Sequence, residues 1–273
     1  MRQVPDAPRP LTTVRDFARF KAEHRKISMV TAYDAWSARL VADSDIDAIL
    51  VGDSAAMVMH GHPTTVPATI GMLSLHTAAV ARAAGNTFVV ADMPFLSNRQ
   101  GIGAAMRATS ALLRAGAHAV KIEGVTGHER VIRHIVESGI PVMGHIGLTP
   151  QFVHSLGGYR VQGRDGDDAE LIRAQAHTLQ DLGCFAVVLE CIPAALGHRI
   201  TSELAIPTIG IGAGPCTDGQ VLVLQDLLGA GNDRTPRFVR RYADIGAVIG
   251  DALNRYNADV KGGAFPSADE SYS

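Results

Sequence analysis

One pattern recurs eight times along this chain: a short apolar run followed by a polar or amphipathic stretch. The runs are ISMVTAY (27–33), AILVGD (48–53), TFVVAD (87–92), AVKIE (119–123), PVMGHI (141–146), AVVLE (186–190), IPTIGIG (206–212) and VLVLQD (221–226). Their β-branched and small residues mark strands buried on both faces, as in a parallel sheet covered by helices. Between them, stretches such as MLSLHTAAVARAA, GAAMRATSALLRAG and HERVIRHIVESG have helical spacing, and several close on Gly as a helix C-terminus does. Eight strands alternating with helices predict a (β/α)8 TIM barrel, and 273 residues suit a fold that needs about 250. The pattern gives a single domain over 1–273, with an extra helix, VRDFARFKAEH, ahead of the first strand and Thr12 or Thr13 as its cap. The ends, about 1–12 and 262–273, are expected to be loose.

Four of these runs end in a carboxylate: Asp53, Asp92, Glu123 and Glu190. A lone carboxylate is costly to bury, so each must face a polar cavity or a cation. In a (β/α)8 barrel all strand C-termini open on one mouth, where such enzymes place their chemistry. Asp53 and Asp92 end successive strands, which lie about 4.8 Å apart in a parallel sheet. That spacing lets them share a divalent ion such as Mg2+, with Glu123 on the next strand completing the shell directly or through water. Lys121 and Glu123 alternate with Val120 and Ile122, so both point to one face, the lumen. An ammonium there matches a substrate carboxylate. Glu190, beside Val187, Val188, Leu189 and Cys191, has a setting that disfavours its charged form and suits a general acid or base. Ser54 and His145 face the mouth as well. A plainer account also fits these residues: Asp side chains capping helices, a structural Lys121–Glu123 pair, a solvated Glu190 and a core His145.

Composition narrows the classes. With 25 basic and 27 acidic residues and no basic run beyond Arg240–Arg241, the footprint of a nucleic-acid binder is missing. Neither a signal peptide nor a membrane span is expected, since no apolar run approaches about 18 residues. Three scattered cysteines, Cys184, Cys191 and Cys216, suit a reducing cytoplasm. The segment 147–168, rich in Gly, is long enough to be a lid or a subunit contact. GIGAG at 210–214 does not open a helix in the manner of a nucleotide loop and is discounted as one.

TAYD at 31–34, VGDS at 51–54, ADMPF at 91–95, KIEG at 121–124, GHIGLTPQ at 144–151, GGYRVQGR at 157–164, LEC at 189–191 and IPTIGIGAG at 206–214 together resemble the ketopantoate hydroxymethyltransferase family, in its order and spacing. The resemblance covers about 13–260. It implies a barrel of the phosphoenolpyruvate/pyruvate type, dependent on Mg2+, that transfers a hydroxymethyl group from 5,10-methylenetetrahydrofolate to 3-methyl-2-oxobutanoate, giving ketopantoate for pantothenate biosynthesis. It further implies Asp53, Asp92 and Glu123 as the metal group, Asp53, Ser54, Asp92 and Lys121 as ketoacid contacts, Glu190 as the proton acceptor, and a homo-oligomer, a decamer in the family. One departure stands out: VGDSAAM replaces the family's VGDSLGM, so the added Cβ at Ala56 is expected to alter the backbone beside the site. A lyase using the same metal and enolate logic is the nearest rival, but its reactive-cysteine motif is absent. A barrel that binds a carboxylate without turnover is the rival from another class.

Overall fold

The computed structural model of the chain describes residues 10–231 and 235–272. Strands β1 (Ile27–Thr31), β2 (Ala48–Val51), β3 (Phe88–Asp92), β4 (Ala119–Glu123), β5 (Val142–Gly147), β6 (Ala186–Glu190), β7 (Thr208–Ile211) and β8 (Gly219–Leu222) each pair in parallel with their neighbours. Pairing of β1 with β8 closes the barrel in sequence order, as the eightfold pattern predicts. Helices Ala35–Ala42, Ile70–Ala81, Ile102–Arg114, Glu129–Glu137, Gly166–Asp181 and Ala194–Glu203 lie between strands. Several start at polar caps of the expected kind: Asp34 accepts from Ser37 N, Thr69 from Met72 N and Asp165 from Asp168 N.

Side chains of one parity fill the lumen. Met29, Ala48, Leu50, Phe88, Val90, Ala119, Met143, Ala186, Val188, Ile209 and Val221 form one buried cluster with Phe17 and Phe20 of the N-terminal helix Val14–Ala22. That helix starts at Thr13, whose main-chain N–H and hydroxyl both meet Asp16 Oδ2 at 2.8 Å. Its Phe17 ring meets Phe88 and Phe185 at centroid distances of 5.4 and 5.3 Å, plugging the end of the barrel where the strands begin. Continuing the same parity toward the strand C-termini reaches Asp92, Lys121, Glu123, His145 and Glu190. The lumen therefore changes from apolar to ionic along its axis.

The last strand differs from the expected 221–226. It begins two residues earlier, at Gly219, and stops at Leu222, while Leu224–Leu228 is helical. Gly219 carries the reason, since a Cβ there would lie 2.5 Å from the Ile27 carbonyl and 2.7 Å from Ile209. Only a residue without a side chain lets β8 pair on both sides, and such a residue is silent to hydrophobic patterning. The long segment after β5 is also structured, with a 3-10 turn at Pro150–Phe152 and a helical turn at Val153–Leu156.

Beside the expectation of one domain over 1–273, contacts group the chain into two compact units, residues 1–223 and 224–273. The second holds helices Leu224–Leu228 and Ile245–Gly262 and a 3-10 turn, Ala268–Glu270, capped by Ser267 within the tail expected to be loose. Tyr256 and Phe265 pack at 5.5 Å within it. Of the expected loose N-terminus, residues 1–9 lie outside the described residues, and Thr12 is buried. No helix among the described residues is long and apolar enough to cross a membrane.

Candidate active site

Strand register builds the site. Asp92 stands opposite Lys121 across β3 and β4, and Glu123 opposite His145 across β4 and β5. Lys121 Nζ lies 2.7 Å from Asp92 Oδ1, 3.1 Å from His145 Nδ1 and 3.8 Å from Glu123 Oε1. His145 extends the chain of charge, with Nδ1 3.4 Å from Glu123 Oε1 and Nε2 3.0 Å from Glu190 Oε2. Asp53 follows β2, where its main-chain N–H donates to Asp92 Oδ2 at 2.9 Å. A Cβ at Gly52 would sit 2.7 Å from Ser54 Oγ, so a side chain there would displace that hydroxyl. Ser54 Oγ shares a 2.7 Å hydrogen bond with the Tyr33 hydroxyl.

Asp53, Asp92, Lys121, Glu123 and His145 are at most 4% exposed, which sets the electrostatics. Burial pushes Asp53 well above the ordinary carboxylate range, and the nearby Glu123 and Asp92 add to that. Burial also raises Asp92, although Lys121 opposes it. Burial acts in the same sense on Glu123, but His145, Lys121 and the Gln151 N–H outweigh it and hold Glu123 low. Lys121 is held in its charged form, the pull of Asp92, Glu123 and Asp53 exceeding the cost of burial. Burial and Lys121 push His145 down, yet Glu123 and Glu190 prevail and bring it to about 9. Lys121 Nζ and His145 Nδ1 approach to 3.1 Å, and carboxylates flank both.

Among the sequence candidates, Asp53, Asp92, Lys121 and Glu123 meet in one cluster, Glu190 joins it through His145, and Ser54 sits at its edge beside Tyr33. Glu190 was expected among apolar neighbours. Its carboxylate instead faces an imidazole, because Val187 and Leu189 have the opposite strand parity. His145 is a full member of the cluster rather than a core residue apart from it.

Sequence reasoning missed Gln151. Its Nε2 donates to Asp53 Oδ2 and to the Met93 carbonyl, both at 2.9 Å, and its main-chain N–H donates to Glu123 Oε2 at 3.0 Å. The residue lies in a 3-10 turn without strand or helix periodicity, so only its place at the end of GHIGLTPQ marked it. The Ala55–Ala56 departure leaves the local backbone helical: both residues are fully buried in the turn Ala55–Val58, and neither has the positive φ that would call for glycine.

Solved structures share the fold. The phosphonopyruvate hydrolase complex with oxalate and Mg++ superposes with a TM-score of 0.62 at 11% identity, over 95% of this chain and 93% of that one. A 2,3-dimethylmalate lyase, described as a PEP mutase/isocitrate lyase superfamily member, gives 0.58 at 16% identity, over 95% and 91%. These likenesses show the fold, a closed (β/α)8 barrel. The family model for ketopantoate hydroxymethyltransferase matches residues 11–268. The protein named 3-methyl-2-oxobutanoate hydroxymethyltransferase in Bdellovibrio bacteriovorus is 54% identical over 96% of this chain and all of its own length. Its namesake in Legionella pneumophila (strain Paris) is 52% identical, over 95% of this chain and 99% of the relative. The chain belongs to the ketopantoate hydroxymethyltransferase family, and it is an enzyme of the transferase class.

Proposed function

We propose that this enzyme transfers a hydroxymethyl group from 5,10-methylenetetrahydrofolate to 3-methyl-2-oxobutanoate, giving ketopantoate in pantothenate biosynthesis. The observation that carries this reading is the buried group of Asp53, Asp92, Lys121 and Glu123 at the barrel mouth, with Glu190 reached through His145. It occurs in a chain about as close to named 3-methyl-2-oxobutanoate hydroxymethyltransferases as those at 54% and 52% identity.

The cluster fits a hard divalent cation. Three buried carboxylates, Asp53, Asp92 and Glu123, share the single ammonium of Lys121 and the imidazole of His145, and burial with the neighbouring Glu123 and Asp92 raises Asp53. Among the described residues, no three His, Cys, Asp or Glu side chains are drawn close enough to enclose an ion by themselves. Mg2+ keeps several waters and takes one or two carboxylates plus substrate oxygens, so Asp53 and Asp92 suffice as protein ligands. Asp53 and Asp92 would hold it, with Glu123 acting through water, and the chemistry supplied is polarisation of the ketoacid carbonyl. Lys121 offers its charge to the ketoacid carboxylate, and Ser54, steadied by Tyr33, offers a hydroxyl. Glu190 takes the C3 proton, and His145 holds that carboxylate toward the mouth. The resulting enolate carbon bonds to the one-carbon unit, whose two bonds to folate nitrogen break, while one water supplies the hydroxyl oxygen and its protons, so that the products are ketopantoate and tetrahydrofolate.

A homo-oligomer is read from the family resemblance. Three free cysteines accord with a cytoplasmic setting. The test is ketopantoate formation from the ketoacid and methylene-folate, with and without chelator. Turnover that chelation abolishes and Mg2+ restores is expected. Full activity after exhaustive chelation would remove the metal from this account, and no turnover with both substrates would remove the function.

A further inference from the structure

Gln151 sits four residues beyond β5 and is 5% exposed. Its amide nitrogen has two hydrogens and meets two groups that can only accept, Asp53 Oδ2 and the Met93 carbonyl. The partners therefore fix which end of the amide faces which way. The main-chain N–H of the same residue is spent on Glu123, so one turn reaches the ends of β2, β3 and β4. The next residue anchors the turn from the other side: the Arg99 guanidinium lies 5.0 Å from the Phe152 ring centroid, and Arg99 Nη1 donates to the Thr126 carbonyl at 3.3 Å.

We propose that Gln151 is a positioning residue for cation binding: by engaging Oδ2 of Asp53 it fixes that carboxylate's rotation and leaves Oδ1 as the oxygen that receives the ion. This inference rests on the reading of Asp53 as a metal ligand. No shorter or apolar side chain substitutes. Asn is one methylene short of Asp53, Met has the length but no donor, and Glu would set a third acceptor against two others. Groups that orient a ligating carboxylate typically govern 10–100-fold in metal affinity or activity.

The experiment is a titration of the purified full chain with Mn2+, a hard divalent ion visible by electron paramagnetic resonance, in wild type, Gln151→Met and Gln151→Asn. Thermal melts run alongside, and the Michaelis constants for metal and ketoacid are measured separately from kcat. Both variants should melt near wild type and bind Mn2+ about 10–100-fold more weakly, with the half-saturating metal concentration rising in step. A purely structural role would instead lower the melting temperature and kcat at unchanged Mn2+ affinity, and that result overturns the proposal while Asp53 remains a ligand. Wild type that fails to bind Mn2+ at all overturns both the proposal and the metal reading. If Gln151→Met does not fold, Gln151→Asn decides, and if neither folds, Gln151 is a folding residue and the proposal falls.

Discussion

The two ends of this barrel are built from the same strands and the same side-chain parity, yet they do opposite things. At one end, Phe17, Phe88, Ala119, Met143 and Ala186 close into a dry apolar plug. At the other, two or four residues further along those strands, the positions hold Asp92, Lys121, Glu123, His145 and Glu190. The plug derives its strength from area removed from water and is indifferent to charge. The mouth consists of buried ions that are costly singly and tolerable only as a matched set. Apolar packing and buried charge are thus segregated along one axis, and on the proposed function a substitution should reveal which end it touches.

The sharpest break of that contrast is Glu190→Gln, which keeps shape but cannot accept a proton. With Mg2+ and 3-methyl-2-oxobutanoate in deuterated water, wild type should exchange the C3 hydrogen even without folate. The variant should do so about 10²–10⁴-fold more slowly, with an unchanged melt. Nuclear magnetic resonance of the C3 proton follows both, and equal rates would reassign the base to another group such as His145. At the plug the expectation inverts. Phe17→Ala should cost about 3–5 kcal/mol of stability, read from urea unfolding, and leave kcat intact well below the melt. A large fall in kcat in the folded variant would mean that the ends are coupled.

Lys121→Ala probes the mouth more gently. Loss of a charged contact worth about 1.5–3 kcal/mol should raise the Michaelis constant for the ketoacid roughly 10–100-fold, with folate saturation little changed. A shift in folate saturation alone would refute its assignment to the ketoacid. The smallest effect belongs to the surface group of Glu203 with His177, Arg173 and Arg199, whose contacts pull Glu203 down to about 2. A depressed carboxylate stabilises above its unfolded value and loses that contribution as pH falls through the folded one. Glu203→Gln should therefore have its full effect above about pH 4, an effect that fades as the pH falls toward about 2. Even there the change should stay small, because exposed pairs are worth roughly 0–1 kcal/mol. Melts at neutral pH and near pH 2 check this; a variant that loses as much as Phe17→Ala would contradict the division between surface ions and core.

Much of the molecule was legible in the chain because the signals were periodic or positional. Buried strands read as apolar runs, a carboxylate at the end of such a run had to meet a cavity, and the alternation of Lys121 and Glu123 with Val120 and Ile122 already put both in the lumen. Gly219 was not legible, since a residue without a side chain carries no pattern, and its reason for being glycine is the two strands that press against it. Gln151 escaped for the same kind of reason: it lies in a turn, 98 residues from the Asp53 that its amide engages.

The sequence by itself determined the eight strands, the direction in which their polar ends face and the set of charged residues brought to one mouth, because each depends on neighbours a few positions away. Only the tertiary structure decided the pairings: Lys121 closer to Asp92 than to Glu123, His145 between Glu123 and Glu190, and Gln151 across Asp53 and Met93. Those depend on strand register and barrel closure, which bring distant segments within hydrogen-bonding reach, and distances of that kind are a property of the closed sheet rather than of any stretch of chain.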